Sequence, residues 1–157
     1  MSKTIRDEID QAMLDLGLSD AQIRLLPDNE GLAVYTAAEE HFVDGRNWRW
    51  WWEHFRLPSA WAYFSDDQGF RKLIDLVPSM TEKVWFIAEE SKLKHSPVYE
   101  TDTAVVQEII GNCYGFEYYL VAQDYRWLLG ENHHSSLFAV GEPVKSNVEE
   151  LTTIITH

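Results

Sequence analysis

Residues 116–140 read FEYYLVAQDYRWLLGENHHSSLFAV and contain three short apolar runs. The runs cover residues 116–122, 125–130 and 136–140, and short polar segments separate them. Consecutive apolar runs with short connections are typical of an antiparallel meander, in which each strand pairs with the next one along the chain. This stretch therefore predicts an antiparallel sheet in the C-terminal half of the chain.

A further strand is predicted upstream, at residues 84–88, which are continuously apolar. Such a run is typical of a strand that is buried on both faces. We therefore expect Trp85 and Ile87 to belong to the core. Glu89 and Glu90 follow directly, and we expect both to face water.

The N-terminal third is predicted to be helical. Apolar residues with helical spacing are Ile5, Ile9, Met13 and Leu16. Gly17 follows them, where a helix commonly ends. Ser19 and Gln22 form a capping-box pattern, which predicts a second helix that ends before Pro27. A third helix is expected at about residues 30–42.

Three more helices are expected between and after the strands: one that Ser65 or Asp66 begins and Pro78 ends, one from Thr101 or Asp102 to about Gly111, and a short one at residues 147–155. Together the elements indicate an α+β fold, with N-terminal helices followed by an antiparallel sheet that has helices on one face.

We interpret residues 1–157 as one domain, with a helical part at 1–45, a sheet with two helices at 46–145, and a C-terminal helix or tail at 146–157.

Residues 47–55, NWRWWWEHF, are ambiguous because their aromatic residues fit both a helix and a strand. Aromatic richness favours a strand, followed by a turn and a second strand at residues 60–64. Trp and Arg are enriched in binding hot spots, which makes this segment a candidate binding surface. Its candidate residues are Trp48, Arg49, Trp50, Trp51 and Trp52. The alternative is that these side chains form an aromatic core.

Several segments resemble a family of small bacterial proteins of unknown function. They are EKVWFIAE at 82–89, FEYYLV at 116–121, Tyr125 with WLL at 127–129, ENHH at 131–134 and VGE at 140–142. The resemblance spans about residues 66–142. It implies a bacterial origin and a shared fold, and it implies no particular activity. Family members often have Asp after the His pair, where this chain has Ser135.

The segment Glu131-Asn132-His133-His134 carries the groups best suited to bind a metal ion. Strand alternation would place the two imidazoles on opposite faces, and a catalytic zinc usually has three protein ligands. Asn132 is a common turn residue. We therefore expect a structural turn with no zinc and no other cofactor. A catalytic triad of Cys113, His133 or His134, and an acid such as Asp124 is a weaker hypothesis, because no known motif surrounds Cys113.

The chain has 13 basic and 26 acidic residues, for a net charge of −13. This balance argues against nucleic acid and anionic membranes as partners, since both require clustered Lys and Arg. A single Cys is typical of cytoplasmic proteins. We expect a non-enzymatic acidic binding protein whose partner has a basic surface, such as an immunity-type inhibitor of a bacterial toxin. The alternatives are a small metal-dependent enzyme centred on Glu131, His133 and His134, and a ligand sensor with a Trp-lined pocket.

Overall fold

A seven-stranded antiparallel sheet runs through the computed structural model, which describes residues 4–46, 48–90, 95–113 and 115–155. The strands are β1 (Ile23–Leu25), β2 (Ser59–Tyr63), β3 (Lys83–Ala88), β4 (Val98–Asp102), β5 (Tyr118–Ala122), β6 (Leu128–Glu131) and β7 (Ser136–Val140). Their order in the sheet is β1-β4-β3-β5-β6-β7-β2. Strands β5, β6 and β7 pair consecutively, which confirms the predicted meander.

The helices are α1 (Ile5–Leu16), α2 (Asp28–Phe42), α3 (Leu73–Leu76), α4 (Thr103–Gly111) and α5 (Val144–Ile155). The N-terminal helices and the antiparallel sheet confirm the α+β class. Helix α1 begins with a capping box in which Thr4 and Asp7 bond each other's backbone N–H, and it ends at Gly17 in the left-handed conformation. None of the described helices combines the length and the apolar character needed to cross a membrane.

Helices cover both faces of the sheet. Alternate strand residues accordingly belong to two separate hydrophobic clusters. On the first face, α1, α3, α4 and α5 pack against strand residues such as Phe86 and Leu120. On the second face, α2 and Trp51 pack against strand residues such as Ile87 and Val121. The expectation that the helices lie on one face only is therefore wrong.

Strand β3 shows this alternation directly. Phe86 and Ile87 are both fully buried, on opposite faces, whereas Trp85 is half-buried at the margin of the second cluster. The prediction of a core position is therefore confirmed for Ile87 and only in part for Trp85.

Residues 19–26 do not form the predicted second helix. They form a turn followed by β1, in which Ile23 pairs with Thr101 of β4. The predicted contact between Ser19 and Gln22 is present, since the Ser19 N–H donates to the Gln22 side chain at 2.9 Å. The capping contact is therefore satisfied within a turn. The chain then becomes a strand because it pairs with β4, which the sequence did not predict.

Over its described residues, 48–55, the tryptophan-rich segment does not form the expected strand. Residues Trp51–Glu53 form one 3₁₀ turn, and strand pairing in this described part is limited to a bridge between Val43 and Phe55. The strand expected next is present as β2. The helix expected after Asp66 is shorter than predicted and consists of a 3₁₀ turn at Gly69–Lys72 followed by α3.

Candidate functional site

Two glutamates lie side by side where β3 and β5 meet at one end of the sheet. Ala88 of β3 pairs with Tyr118 of β5, so Glu89 follows one strand and Glu117 precedes the other at the same position. The Glu89 N–H donates to the Glu117 carbonyl at 2.9 Å. Antiparallel register thus places two carboxylates at one edge, although 28 positions separate them in the chain.

These glutamates line a pocket of about 610 Å³. Its apolar and aromatic walls come from Leu32, Tyr35, Trp48, Trp50 and Phe116. Its polar lining comes from Arg49, Glu89, Glu90, His95, Ser96, Glu117 and His133. We call this cavity the Trp–Glu pocket. Its volume lies within the range of about 300–1,000 Å³ that is usual for ligand sites.

Glu89 is half-buried in this pocket, so the expectation that it faces water is met only in part. The pKa of Glu89 is raised to about 7: burial is the largest cause, the nearby Glu117 charge adds to it, and Arg49 opposes both effects. Burial also raises the pKa of Tyr35, and the charge of Glu89 adds to that effect. Both shifts reflect the cost of placing negative charge in a partly desolvated pocket.

The second glutamate of the pair is held by the His turn. The backbone N–H of His133 donates to a Glu117 carboxylate oxygen at 3.0 Å, and Nδ1 of the same residue contacts that oxygen. The Glu117 side chain is only 10% exposed, whereas that of His133 is 45% exposed. His133 thus fixes the orientation of Glu117 from the solvent side.

The structure brings the two sequence-predicted sites together. The ring centroids of Trp50 and His133 are 5.3 Å apart. The ring centroid of Trp52 lies 5.9 Å from that of His133 and 6.0 Å from that of His134. Trp48 is 42% exposed and stacks on His54 at 3.6 Å between ring centroids. Trp48 and Trp50 line the pocket, and Trp52 supports the His turn beside it.

Trp51 has a different role from its neighbours. It is fully buried on the second face of the sheet, and its indole N–H donates to Glu39 at 3.2 Å. Its ring centroid lies 4.6 Å from that of Tyr35 and 4.8 Å from that of Tyr119. The hypothesis of an aromatic core thus holds for Trp51, whereas Trp48 and Trp50 line an open pocket.

The His turn differs from the sequence expectation in one respect. The ring centroids of His133 and His134 are 3.9 Å apart. Strand alternation does not separate the two rings, because these residues lie in a turn beyond β6. The expected role of Asn132 in the turn is confirmed. Its side-chain oxygen accepts the N–H of His134 at 2.9 Å and of Ser136 at 3.2 Å. Ser135 has a positive φ of 59° and bonds Asp67.

Glu131 lies beside a second cavity, of about 510 Å³. It accepts a hydrogen bond from the Tyr118 hydroxyl at 2.9 Å. Its pKa is raised to about 7: burial is the largest cause, the Tyr118 hydrogen bond opposes it, and the Asp67 charge adds to it. Across the described parts of the chain, no group of three or more His, Cys, Asp or Glu side chains is arranged to hold a metal ion.

Cys113 is not activated as a nucleophile. The pKa of its thiol is raised to about 11, mainly by burial and also by the Glu8 charge. The thiol donates to the Glu8 carbonyl at 3.8 Å. Because the thiolate is the reactive form, these surroundings do not favour the catalytic interpretation of Cys113.

Sequence reasoning missed Glu89, Glu117 and Tyr35. A signal for the two glutamates was present, since one directly follows an apolar run and the other lies within the start of the next predicted strand. Two strands of an antiparallel pair bring the end of one beside the start of the other. No comparable signal marks Tyr35, which enters the pocket from α2.

Comparison with protein-family models gives a match over almost the whole chain. The model of DUF6756, a family of unknown function, matches residues 1–152. No curated protein matches the chain, and no solved structure matches it.

Proposed function

The chain belongs to DUF6756, a family of unknown function, and from the geometry of the Trp–Glu pocket we propose that it is a non-enzymatic binding protein for a cationic partner. One observation carries this proposal: Glu89 and Glu117 stand together in a cavity with aromatic walls. Two neighbouring carboxylates repel each other, and a bound cation relieves that repulsion. Aromatic faces such as that of Trp50 also attract cations.

The charge of the whole chain supports a basic protein as the partner. With a net charge of −13, the molecule attracts a positively charged surface over long range, and a side chain of that surface then enters the pocket. An immunity-type inhibitor has these properties, because it covers the basic active site of a toxin with carboxylates. This assignment to a class rests on analogy of charge and pocket chemistry.

The pocket volume favours one second candidate. A cavity of about 610 Å³ also has room for a small cationic molecule, as in a ligand sensor. Both candidates use the same pocket chemistry. They differ in whether the cationic group belongs to a protein or to a free ligand.

Tryptophan fluorescence tests the proposal, because Trp48 and Trp50 line the pocket. The probes are Nα-acetyl-lysine N-methylamide and Nα-acetyl-arginine N-methylamide, with the norleucine derivative as an uncharged control. We expect both cations to bind in preference to norleucine. Glu89→Gln should weaken cation binding about fivefold to tenfold, as loss of a charged contact predicts.

A matched variant controls for net charge. Glu150→Gln removes the same charge from an exposed position on α5, which packs on the opposite face of the sheet from Trp51. We expect it to bind the cationic probes as the unmodified protein does. If the norleucine derivative binds as well as the two cations, the proposed function is wrong.

A further inference from the structure

Arg49 places the protein's own guanidinium in the Trp–Glu pocket. Its guanidinium carbon lies 5.0 Å from the centroid of the Trp50 ring, within the range of a cation–π interaction. The same charge acts on Glu89, where it opposes the rise in the carboxyl pKa. One cationic group of the free protein therefore already interacts with both a wall and a carboxylate of the pocket.

Arg49 is weakly held in this position. Its side chain is exposed, and no carboxylate among the described residues lies within ion-pair distance of it. Arg46, from the same segment, instead pairs with Glu40 at 3.4 Å. An exposed guanidinium that is held only by contact with one half-buried ring and by longer-range charge is easily displaced.

We infer that the pocket recognises the guanidinium of an arginine side chain from the partner protein, and that this group replaces Arg49 on Trp50. The inference rests on the proposed function and names its ligand. A guanidinium is planar, so it stacks on an indole face while its N–H groups bond carboxylate oxygens. Glu89 and Glu117 supply those oxygens beside Trp50. The ammonium of lysine is a compact point charge and lacks this geometry.

The opposite interpretation is that Arg49 is itself a ligand-binding group. In that case it would hold an anion, and its removal would weaken binding. The other charged or titratable groups of the pocket are Tyr35, Glu89, Glu90, His95, Glu117 and His133, of which three are carboxylates. An anion would have to approach all three, which favours displacement of Arg49 by a cation.

The experiment compares Nα-acetyl-arginine N-methylamide with its lysine and citrulline counterparts. Citrulline keeps the shape of arginine and lacks the charge. We expect arginine to bind about fivefold tighter than lysine, and citrulline to bind more weakly than both. Arg49→Gln should tighten arginine binding about twofold to fivefold, because the competing internal cation is gone.

Arg46→Gln is the matched control, since it removes the same charge from an exposed position outside the pocket lining. It should change arginine affinity less than Arg49→Gln does. If Arg49→Gln weakens arginine binding, or if lysine binds as tightly as arginine, the inference is overturned while the proposed function stands. If neither cation exceeds the uncharged probes, the proposed function itself is wrong. Thermal unfolding confirms that each variant is folded.

Free L-arginine identifies the source of the guanidinium. A blocked arginine resembles a residue within a protein, whereas free L-arginine carries its own ammonium and carboxylate. If the pocket binds the blocked form with an affinity equal to or higher than that for free L-arginine, the result supports a partner protein as the source. Tighter binding of free L-arginine would overturn that source and indicate a small-molecule ligand.

Discussion

Glu89 and Glu131 are acids whose folded-state pKa is raised to about 7, with burial as the main cause in each case. An acid with a raised pKa binds its proton more tightly in the folded protein than in the unfolded chain. Its contribution to stability is therefore greatest below the unfolded value of 4.5 and decreases as pH rises through about 7. These two residues predict that the free energy of unfolding decreases from mildly acidic to neutral pH.

Glu89→Gln should remove the share of this pH dependence that belongs to Glu89. Each glutamate with a raised pKa reduces the free energy of unfolding by up to about 1.4 kcal/mol for each unit by which the pH rises between pH 5 and pH 7. The variant should therefore match the unmodified protein near pH 4.5 and exceed its stability at pH 8 by roughly 1–3 kcal/mol. Urea unfolding at both pH values measures the difference. An unchanged pH slope in this variant would contradict the assigned cause.

The neighbouring tryptophans Trp48 and Trp51 should respond very differently to truncation. Trp51 is fully buried and bonds Glu39, so Trp51→Ala should cost about 3–5 kcal/mol. Trp48 is 42% exposed, and Trp48→Ala should cost less than about 1 kcal/mol. Urea unfolding measures both, and similar losses in the two variants would contradict the structure.

The sequence could not distinguish these tryptophans, because the 3₁₀ turn at Trp51–Glu53 determines their directions. Side chains in such a turn rotate by about 120° per residue. Trp51 therefore enters the core while its neighbours Trp50 and Trp52 flank the pocket and the His turn. The composition alone supported both a core and a surface.

Among the elements, those with strong local patterns were predictable. Helix α1 has both caps and a regular apolar stripe, and β5, β6 and β7 are apolar runs with short connections. Strands β1 and β4 were not predicted. They are short and contain polar residues. They form because β4 pairs with β3 on one side and with β1 on the other.

The candidate site was predictable only in pieces. The tryptophan segment and the His turn were identified separately, and their contact depends on tertiary packing that no local pattern shows. The pairing of Glu89 with Glu117 depends on the register of β3 and β5. A shift of one residue in that register would separate the two carboxylates.

The His turn should depend on the Asn132 side chain. Asn132→Ala removes the acceptor of the His134 and Ser136 N–H groups, and should cost about 1–3 kcal/mol. Asn132→Asp keeps an oxygen at the same place and should cost less. Urea unfolding measures both variants. Equal losses in the two would show that these hydrogen bonds do not stabilise the turn.

At the scale of the whole molecule, acidic charge is unevenly distributed along the chain. Residues 1–45 and 84–157 each carry a net charge of −7, whereas residues 46–83 carry +1. The pocket thus takes Arg49 from the near-neutral segment and its glutamates from the acidic C-terminal part. In the proposed function, both acidic parts supply long-range attraction, and the C-terminal part also supplies the carboxylates that select a cation.

The acidic field should govern how fast a cationic partner associates. The Debye length falls from about 30 Å at 0.01 M salt to about 8 Å at 0.15 M, so distant charges lose their effect over that range. The association rate of a blocked peptide with one central arginine and a net charge of +3 should fall about tenfold between these conditions. Stopped-flow tryptophan fluorescence measures this rate.

The dissociation rate should change far less with salt, because short-range contacts in the pocket determine it. Glu89→Gln removes only one of 26 acidic residues, so it should keep most of the salt dependence of association while it accelerates dissociation. An association rate that does not change with salt would show that the net charge of −13 has no part in recognition.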